Sequence, residues 1–216
     1  DPDPVDPDPV DPDPVDPDPV DPDPVDPDPV DPDPVDPDPV DPDPVDPTGT
    51  DDTLIYEPGK FNTLDGGEGN DTADFSLSTS AVFVDLLWDG NEAWTTGTDN
   101  LCSGQWEEIA DLNSIENITG SDFDDLLAGS SGNNMLIGGK GSDIFSMRGD
   151  FGTDTIGDFQ DGIDVISFIE NANVTNFDQL AISQNGADAV VSAGADTITL
   201  TGVDSALLTQ DDFYFC

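Results

Sequence analysis

The sequence predicts an all-β protein: a parallel β-roll with flanking strands, preceded by an extended, disordered proline-rich strut. Two segments carry this prediction, since 66–74 (Gly-Gly-Glu-Gly-Asn-Asp-Thr-Ala-Asp) and 138–146 (Gly-Gly-Lys-Gly-Ser-Asp-Ile-Phe-Ser) share one nine-residue pattern. Units of the form G-G-x-G-x-D-x-U-x, where U is apolar, are typical of parallel β-helical repeats. Glycines at positions one, two and four allow the turn, and the apolar residue at position eight points into the core.

The repeat extends beyond these two copies when units with fewer glycines are aligned in the same register. Gly152 and Gly162 keep position four of the last two units. We therefore expect three half-turns in 50–74 and five in 120–167, within a roll that spans 48–170. Positions six and eight are then Asp52 and Leu54, Asn62 and Leu64, Asp71 and Ala73, Asp125 and Leu127, Asn134 and Leu136, Asp143 and Phe145, Asp154 and Ile156, and Asp164 and Ile166.

The candidate metal ligands are the position-six residues other than Asn62, together with Gly152 and Gly162. Because nine residues form half a turn, unit n lies beside unit n+2 on the same edge, and a cation can bind between the two loops. Calcium takes about 6–8 oxygens, which two carboxylates and several loop carbonyls supply, whereas magnesium requires a smaller octahedron. We expect several calcium ions, held by the pairs Asp52 and Asp71, Asp125 and Asp143, Asn134 and Asp154, and Asp143 and Asp164.

Composition narrows the range of partners and functions. The chain has 50 acidic and 3 basic residues, a formal net charge of −47; the first 47 residues hold 19 of the acidic ones, which leaves 31 acidic and 3 basic residues, or −28, in 48–216. Nucleic acid is not an expected partner, since phosphate contacts need Lys or Arg. No apolar run approaches the roughly 18 residues of a membrane span, so no membrane insertion is expected. The chain has no His, which removes most general-base and nucleophile pairs, so we expect no catalysis within it.

Residues 1–47 are nine copies of Asp-Pro-Asp-Pro-Val followed by Asp46 and Pro47. Proline fixes φ and removes a backbone donor, and the like charges resist compaction, so this segment is predicted to be an extended linker. A weak calcium-binding role or a proline-groove interaction is the alternative. The two cysteines, Cys102 and Cys216, could pair or stay free.

Two segments lack the glycine pattern. Residues 75–119 have β-type apolar patterning, which predicts strands of an excursion that flanks the roll. Residues 171–216 alternate like short strands joined by turns at Gly186, Gly194 and Gly202, which predicts a β-rich C-terminal cap.

Together these residues resemble the haemolysin-type RTX calcium-binding proteins, and more narrowly the C-terminal region of serralysin-like secreted proteins. Beyond the repeats, the resemblance rests on 114–120, 154–159 and 162–166, and on Asp-Asp-Phe-Tyr-Phe at 211–215. It implies a bacterial protein that the type I secretion apparatus exports unfolded and that folds in extracellular calcium. The resemblance also implies that the apparatus reads its signal from the C-terminal end of the chain. Cys216 departs from the usual apolar terminus, and the family's His-Glu-x-x-His protease motif is absent.

The resemblance also implies a set of backbone carbonyl ligands. In the family, one loop supplies carbonyls from positions one and three, and its partner supplies them from positions two and four. Carried over to this sequence, the carbonyl ligands are Gly66, Gly67, Glu68, Gly69, Gly120, Asp122, Gly138, Gly139, Lys140 and Gly141.

Two alternative functions remain open from the sequence. The chain could be a carbohydrate-binding or cell-surface-binding module on a β-roll scaffold, with Trp88, Trp94 and Trp106 as contacts. It could also be the non-catalytic C-terminal domain of a secreted hydrolase whose activity precedes Asp1.

Overall fold

The computed structural model describes residues 49–87, 92–95, 107–170 and 174–216, and the predicted strut lies outside these ranges. The described residues belong to one compact unit, Asp41–Cys216. Its strands are β1 Thr53–Ile55, β2 Asn62–Asp65, β3 Thr72–Asp74, β4 Val82–Asp85, β5 Glu92–Thr95, β6 Glu107–Asn113, β7 Asn117–Thr119, β8 Leu126–Ala128, β9 Met135–Ile137, β10 Ile144–Arg148, β11 Thr153–Ile156, β12 Val165–Ile169, β13 Ala181–Asn185, β14 Asp188–Ala193, β15 Asp196–Leu200 and β16 Phe213–Phe215.

The strands form two eight-stranded sheets, between which the chain alternates through the repeats. Sheet 1 has the order β1-β3-β7-β9-β11-β15-β14-β13, and sheet 2 has the order β16-β12-β10-β8-β4-β5-β6-β2. The repeat strands pair in parallel with the strand two units away, as in β8 with β10 and β7 with β9. The prediction of an all-β parallel roll is confirmed.

The register places the position-eight residues opposite one another. Leu127 pairs with Phe145, Phe145 with Ile166, and Leu136 with Ile156. These side chains and Ala73 are 0% exposed and belong to one hydrophobic core that both sheets share. Burial of these residues is the main stabilising term for the roll, at about 25 cal/mol for each Å² of apolar surface.

The segment at 75–119 contributes three strands to sheet 2. β4 pairs in parallel with β8, β6 pairs in parallel with β2, and β5 joins them by antiparallel pairing on both sides. The antiparallel strand therefore lies inside an otherwise parallel sheet. The non-repeat segment thus connects the two repeat blocks within the roll.

The C-terminal segment also extends both sheets. β15 pairs in parallel with β11, and β13, β14 and β15 form an antiparallel meander at the end of sheet 1. β16 pairs in parallel with β12 at the end of sheet 2. No helix among the described residues is long and apolar enough to cross a membrane.

Candidate metal centre

The loops between the two sheets form two rows, one at each edge. The first loop row leads from sheet 1 into sheet 2 and contains 120–125, 138–143 and 157–164. The second loop row leads from sheet 2 into sheet 1 and contains 66–71, 114–116, 129–134 and 149–152. Because the repeat strands are in parallel register, equivalent positions of successive loops stack along each row.

In the first loop row, each position-six carboxylate accepts a backbone hydrogen bond from its neighbour. The N–H of Asp125 donates to Oδ1 of Asp143 at 2.9 Å, and the N–H of Asp143 donates to Oδ1 of Asp164 at 3.0 Å. Oδ1 of Asp125 accepts the N–H of Val82 at 2.8 Å. The structure therefore brings together the predicted neighbours of this row.

The second loop row has the same ladder with one additional member. The N–H of Asp52 donates to Oδ1 of Asp71 at 2.7 Å, and the N–H of Asn134 donates to Oδ1 of Asp154 at 2.9 Å. Between these pairs lies Glu116, whose Oε2 accepts the N–H of Asp71 at 2.9 Å and whose carbonyl accepts a bond from Asn134 Nδ2 at 2.5 Å. Asp71 thus has two carboxylate neighbours, Asp52 and Glu116, rather than one.

Several of these carboxylates keep one oxygen without a partner. Oδ2 of Asp71, Asp143 and Asp154 is buried and forms no hydrogen bond, whereas both oxygens of Asp125 and Asp164 are hydrogen-bonded. A buried carboxylate oxygen without a partner is costly, since it has lost its hydration. A bound cation would satisfy these oxygens.

Burial also makes the charged form of these side chains unfavourable. Desolvation raises the pKa of Asp143 to about 7 and that of Asp125 to about 6, and it raises the pKa of Asp164. Desolvation, and then the charge of Asp196, raise the pKa of Asp154 to about 7 against the lowering effect of the Asn134 N–H. A cation bound beside these poorly solvated acids would stabilise their charged form.

The glycines allow the loops to approach closely. A Cβ at Gly66 or Gly138 would overlap the carboxylate of Asp71 or Asp143 in the same unit, and one at Gly69 would overlap the carbonyl of Thr50. Across the stacked loops, a Cβ at Gly141 would lie 2.5 Å from the carbonyl oxygen of Phe123. The loop backbones are therefore packed around the position-six carboxylates.

The loops offer backbone oxygens together with carboxylates, and this donor set suits calcium. Among the described residues, no three His, Cys, Asp or Glu side chains converge on one point. Each loop pair instead offers one or two carboxylates beside closely packed backbone, and calcium readily takes backbone carbonyls as ligands. The residues present fit a calcium ion.

Comparison with known sequences agrees with this geometry. The family model of the RTX calcium-binding nonapeptide repeat matches four copies, over residues 59–75 and 119–156. These segments are RTX calcium-binding repeats. The chain therefore contains a calcium-binding module. No curated protein sequence matches the chain.

Two solved structures are similar to this chain at 20% identity. The extracellular lipase LipA from Serratia marcescens aligns with 78% of this chain at a TM-score of 0.37, and this chain spans only 37% of the lipase. The AlgE6R3 subunit of the Azotobacter vinelandii mannuronan C5-epimerase aligns with 77% of this chain and 78% of its own, at a TM-score of 0.36.

The remaining predicted ligands of the RTX repeats lie in the same loops. The side chains of Asp122 and Lys140 are exposed and form an ion pair at 2.6 Å, which leaves their backbone to line the loops. Gly152 has φ +83°, and a Cβ there would lie 2.5 Å from the carbonyl of Gly132. Gly162 has φ +72° and donates its N–H to Oδ1 of Asp212 at 3.2 Å. The predicted carbonyl ligands Gly67, Glu68 and Gly120 belong to loops 66–71 and 120–125.

Three acidic residues that support the RTX loops were not predicted from the sequence. Glu116 fills a position-six place in the second loop row, and Asp158 accepts the N–H groups of Gly138 and Gly139, both at 2.8 Å. Asp212 is 2% exposed and lies beside loop 157–164. The signal for Glu116 is present, since it precedes the buried Ile118 by two residues, but the unit lacks the glycines.

Alanine at Gly139 is expected to destabilise the calcium-bound roll more than alanine at Gly162. Both glycines have positive φ, +96° and +72°, which costs an L-residue about 1–2 kcal/mol. Only at Gly139 would the added Cβ also overlap the carbonyl of Ser121 in the stacked loop, while Gly162 faces open space. Urea unfolding in millimolar calcium measures the difference. Equal losses would show that the loops do not stack this closely.

The glycan-binding alternative rests on tryptophans that fall mostly outside the described residues. Trp88 and Trp106 lie there, as does Cys102, while Cys216 is exposed. Trp94 is half-buried and stacks on Phe83 of the neighbouring strand β4, with ring centroids 5.0 Å apart. This contact gives Trp94 a packing role.

Proposed function

We propose that this chain is a calcium-triggered folding module of an exported protein, and that its C-terminal end carries a type I secretion signal. The observation that supports it best is the set of buried, unpartnered Oδ2 atoms of Asp71, Asp143 and Asp154 in the RTX loops. A chain that places these atoms in its interior depends on a cation for stability. Calcium is about millimolar outside cells, which is the affinity range of extracellular calcium modules.

The acidic charge supports the same function. Residues 48–216 carry a net charge of −28, and only Lys60, Lys140 and Arg148 oppose it. At low calcium this self-repulsion keeps the chain expanded, which suits passage through a secretion channel. In extracellular calcium the ions neutralise the loops, and the roll forms. The module itself has no proposed catalytic role, and any activity belongs to a larger secreted protein, such as a hydrolase.

The C-terminal end is proposed to act twice, first as an export signal and then as part of the folded roll. β16 pairs with β12, and Phe168 of β12 stacks against Phe213 and Phe215 at centroid distances of 6.4 and 5.4 Å. Phe213 is buried. Asp212 and Phe213, which belong to the segment that the apparatus would read in the unfolded chain, are therefore buried after folding.

Removal of 211–216 is expected to abolish export while leaving calcium-induced folding of the purified chain largely intact. The signal would be read from an unfolded tail, whereas the RTX loops lie upstream. Some stability will be lost, because Phe213 packs against Phe168 and Phe177. A type I secretion assay beside a calcium titration measures both effects.

The matched control is Phe213→Ala, which removes the packing of Phe213 but keeps the rest of the tail. It should lower stability by about 3–5 kcal/mol and still be exported. Efficient export of the truncated chain would remove the secretion part of the proposal. Normal calcium-induced folding of that chain would leave the calcium part unaffected.

A further inference from the structure

Asp196 is a buried acid outside the RTX repeats, and one of its carboxylate oxygens has no hydrogen-bond partner. It begins β15, is 8% exposed, and its Oδ2 has no partner. The repeat match ends at residue 156, and Asp196 follows a tight turn between β14 and β15. Without a ligand, this carboxylate costs the fold free energy.

The strand register brings Asp196 next to Asp154. β11 and β15 pair in parallel with Thr153 opposite Thr197, and the N–H of Thr197 donates to the carbonyl of Gly152 at 3.0 Å. Asp154 and Asp196 both lie on the buried face of their strands, as do the next inward residues, Ile156 and Ile198. The two carboxylates are therefore diagonal neighbours on one face, and the charge of Asp196 acts on Asp154.

A shared proton does not account for this pair. Two acids that share a proton are joined by a hydrogen bond, but Oδ2 of Asp154 and Oδ2 of Asp196 each lack any hydrogen-bond partner. The other oxygen of Asp154, Oδ1, is occupied by the N–H of Asn134. Two buried carboxylate oxygens thus remain on one face without a hydrogen-bond partner, an arrangement that a hard divalent cation satisfies.

We propose that Asp154 and Asp196 bind one calcium ion between the last RTX loop of the second row and the turn that precedes β15. This inference rests on the proposed calcium function and adds a site to which the C-terminal segment contributes a ligand. Backbone carbonyls or water complete the coordination. The ion joins the meander β13–β15 to the repeats, so that docking of the C-terminal segment depends on calcium.

The test is Asp196→Ala in the full chain, with Asp178→Ala as the matched control. Both variants remove one negative charge from the same segment, but Asp178 is exposed. Equilibrium dialysis against radioactive calcium should find one ion fewer per chain in Asp196→Ala and no change in Asp178→Ala. The slope of the logarithm of the folding constant against the logarithm of calcium concentration should also fall by one.

The outcomes separate this inference from the proposed function. A wild-type chain that binds no calcium would reject both. A wild-type chain that binds calcium, with an unchanged ion count and slope in Asp196→Ala, would reject only the additional site. A shifted calcium midpoint with an unchanged slope would also reject the additional site, since it would indicate a purely structural role for Asp196.

A second variant covers the case in which Asp196→Ala does not fold at any calcium concentration. Asp196→Glu keeps a carboxylate that can still bind the ion. Recovery of folding and of the wild-type ion count by Asp196→Glu would support the site. Failure of both variants to fold would assign Asp196 to packing and overturn the proposal.

Discussion

Removal of calcium is expected to convert residues 48–216 from a β-rich fold to a disordered chain. The reason is the position-six carboxylates, because Asp71, Asp143 and Asp154 each bury an oxygen with no partner in the protein. If the sites have Kd values of about 0.1–1 mM, calcium at about 100 times Kd adds roughly 2.7 kcal/mol for each site. Several sites together match the typical stability of a whole domain, about 5–15 kcal/mol.

Far-UV circular dichroism in EGTA and in millimolar calcium measures this change. Magnesium at the same concentration is the control for ionic strength and divalent charge, and we expect it to restore little β signal because it dehydrates reluctantly. An EGTA spectrum identical to the calcium spectrum would contradict the prediction. The hydrophobic core shared by the two sheets would then suffice to hold the roll together.

The repeat positions could be predicted from sequence because local chemistry determines them. Glycines at positions one, two and four are required by close approach and positive φ, and the apolar residue two after the Asp or Asn is buried in every unit except the first, where Leu54 is partly buried. The stacking of unit n on unit n+2 follows from the nine-residue period alone. The sequence therefore suffices to predict the Asp125 and Asp143 pair and the Asn134 and Asp154 pair.

The non-repeat segments were less predictable because long-range pairing determines their position. The antiparallel strand β5 lies between β4 and β6 inside sheet 2. No local sequence signal distinguishes a strand inside the sheet from a hairpin beside the roll. Glu116 and Asp196 reach the second loop row only because β7 and β15 pair with RTX strands. Both precede a buried isoleucine by two residues, a weaker form of the repeat signal that remains after the glycines are lost.

Alanine at Asp143 is expected to raise the calcium concentration needed for folding more than alanine at Asp71. Asp143 lies in the middle of the first loop row, where its carboxylate accepts the N–H of Asp125 and its own N–H donates to Asp164. Its loss removes a ligand from up to two sites, equivalent to roughly 5 kcal/mol at about 100 times Kd. The loops that precede β8, β10 and β12 are then no longer joined by calcium.

Asp71 is expected to have a smaller effect even though Glu116 gives it a second carboxylate neighbour. The N–H of Asp71 donates to Glu116, just as that of Asp143 donates to Asp164, but the unit of Glu116 lacks the repeat glycines. We therefore expect Asp71 to serve one site, at the contact of its carboxylate with the N–H of Asp52. Beyond that contact lies the edge strand β1, whose residues 53 and 55 are exposed. Asp71→Ala should therefore release 49–55 locally, seen as faster amide hydrogen exchange there. Asp150→Ala is the control for charge, since Asp150 is an exposed acid in loop 149–152 of the same row. Equal calcium midpoints for Asp143→Ala and Asp71→Ala would show that the two loop rows contribute equally, and that position within the row does not matter.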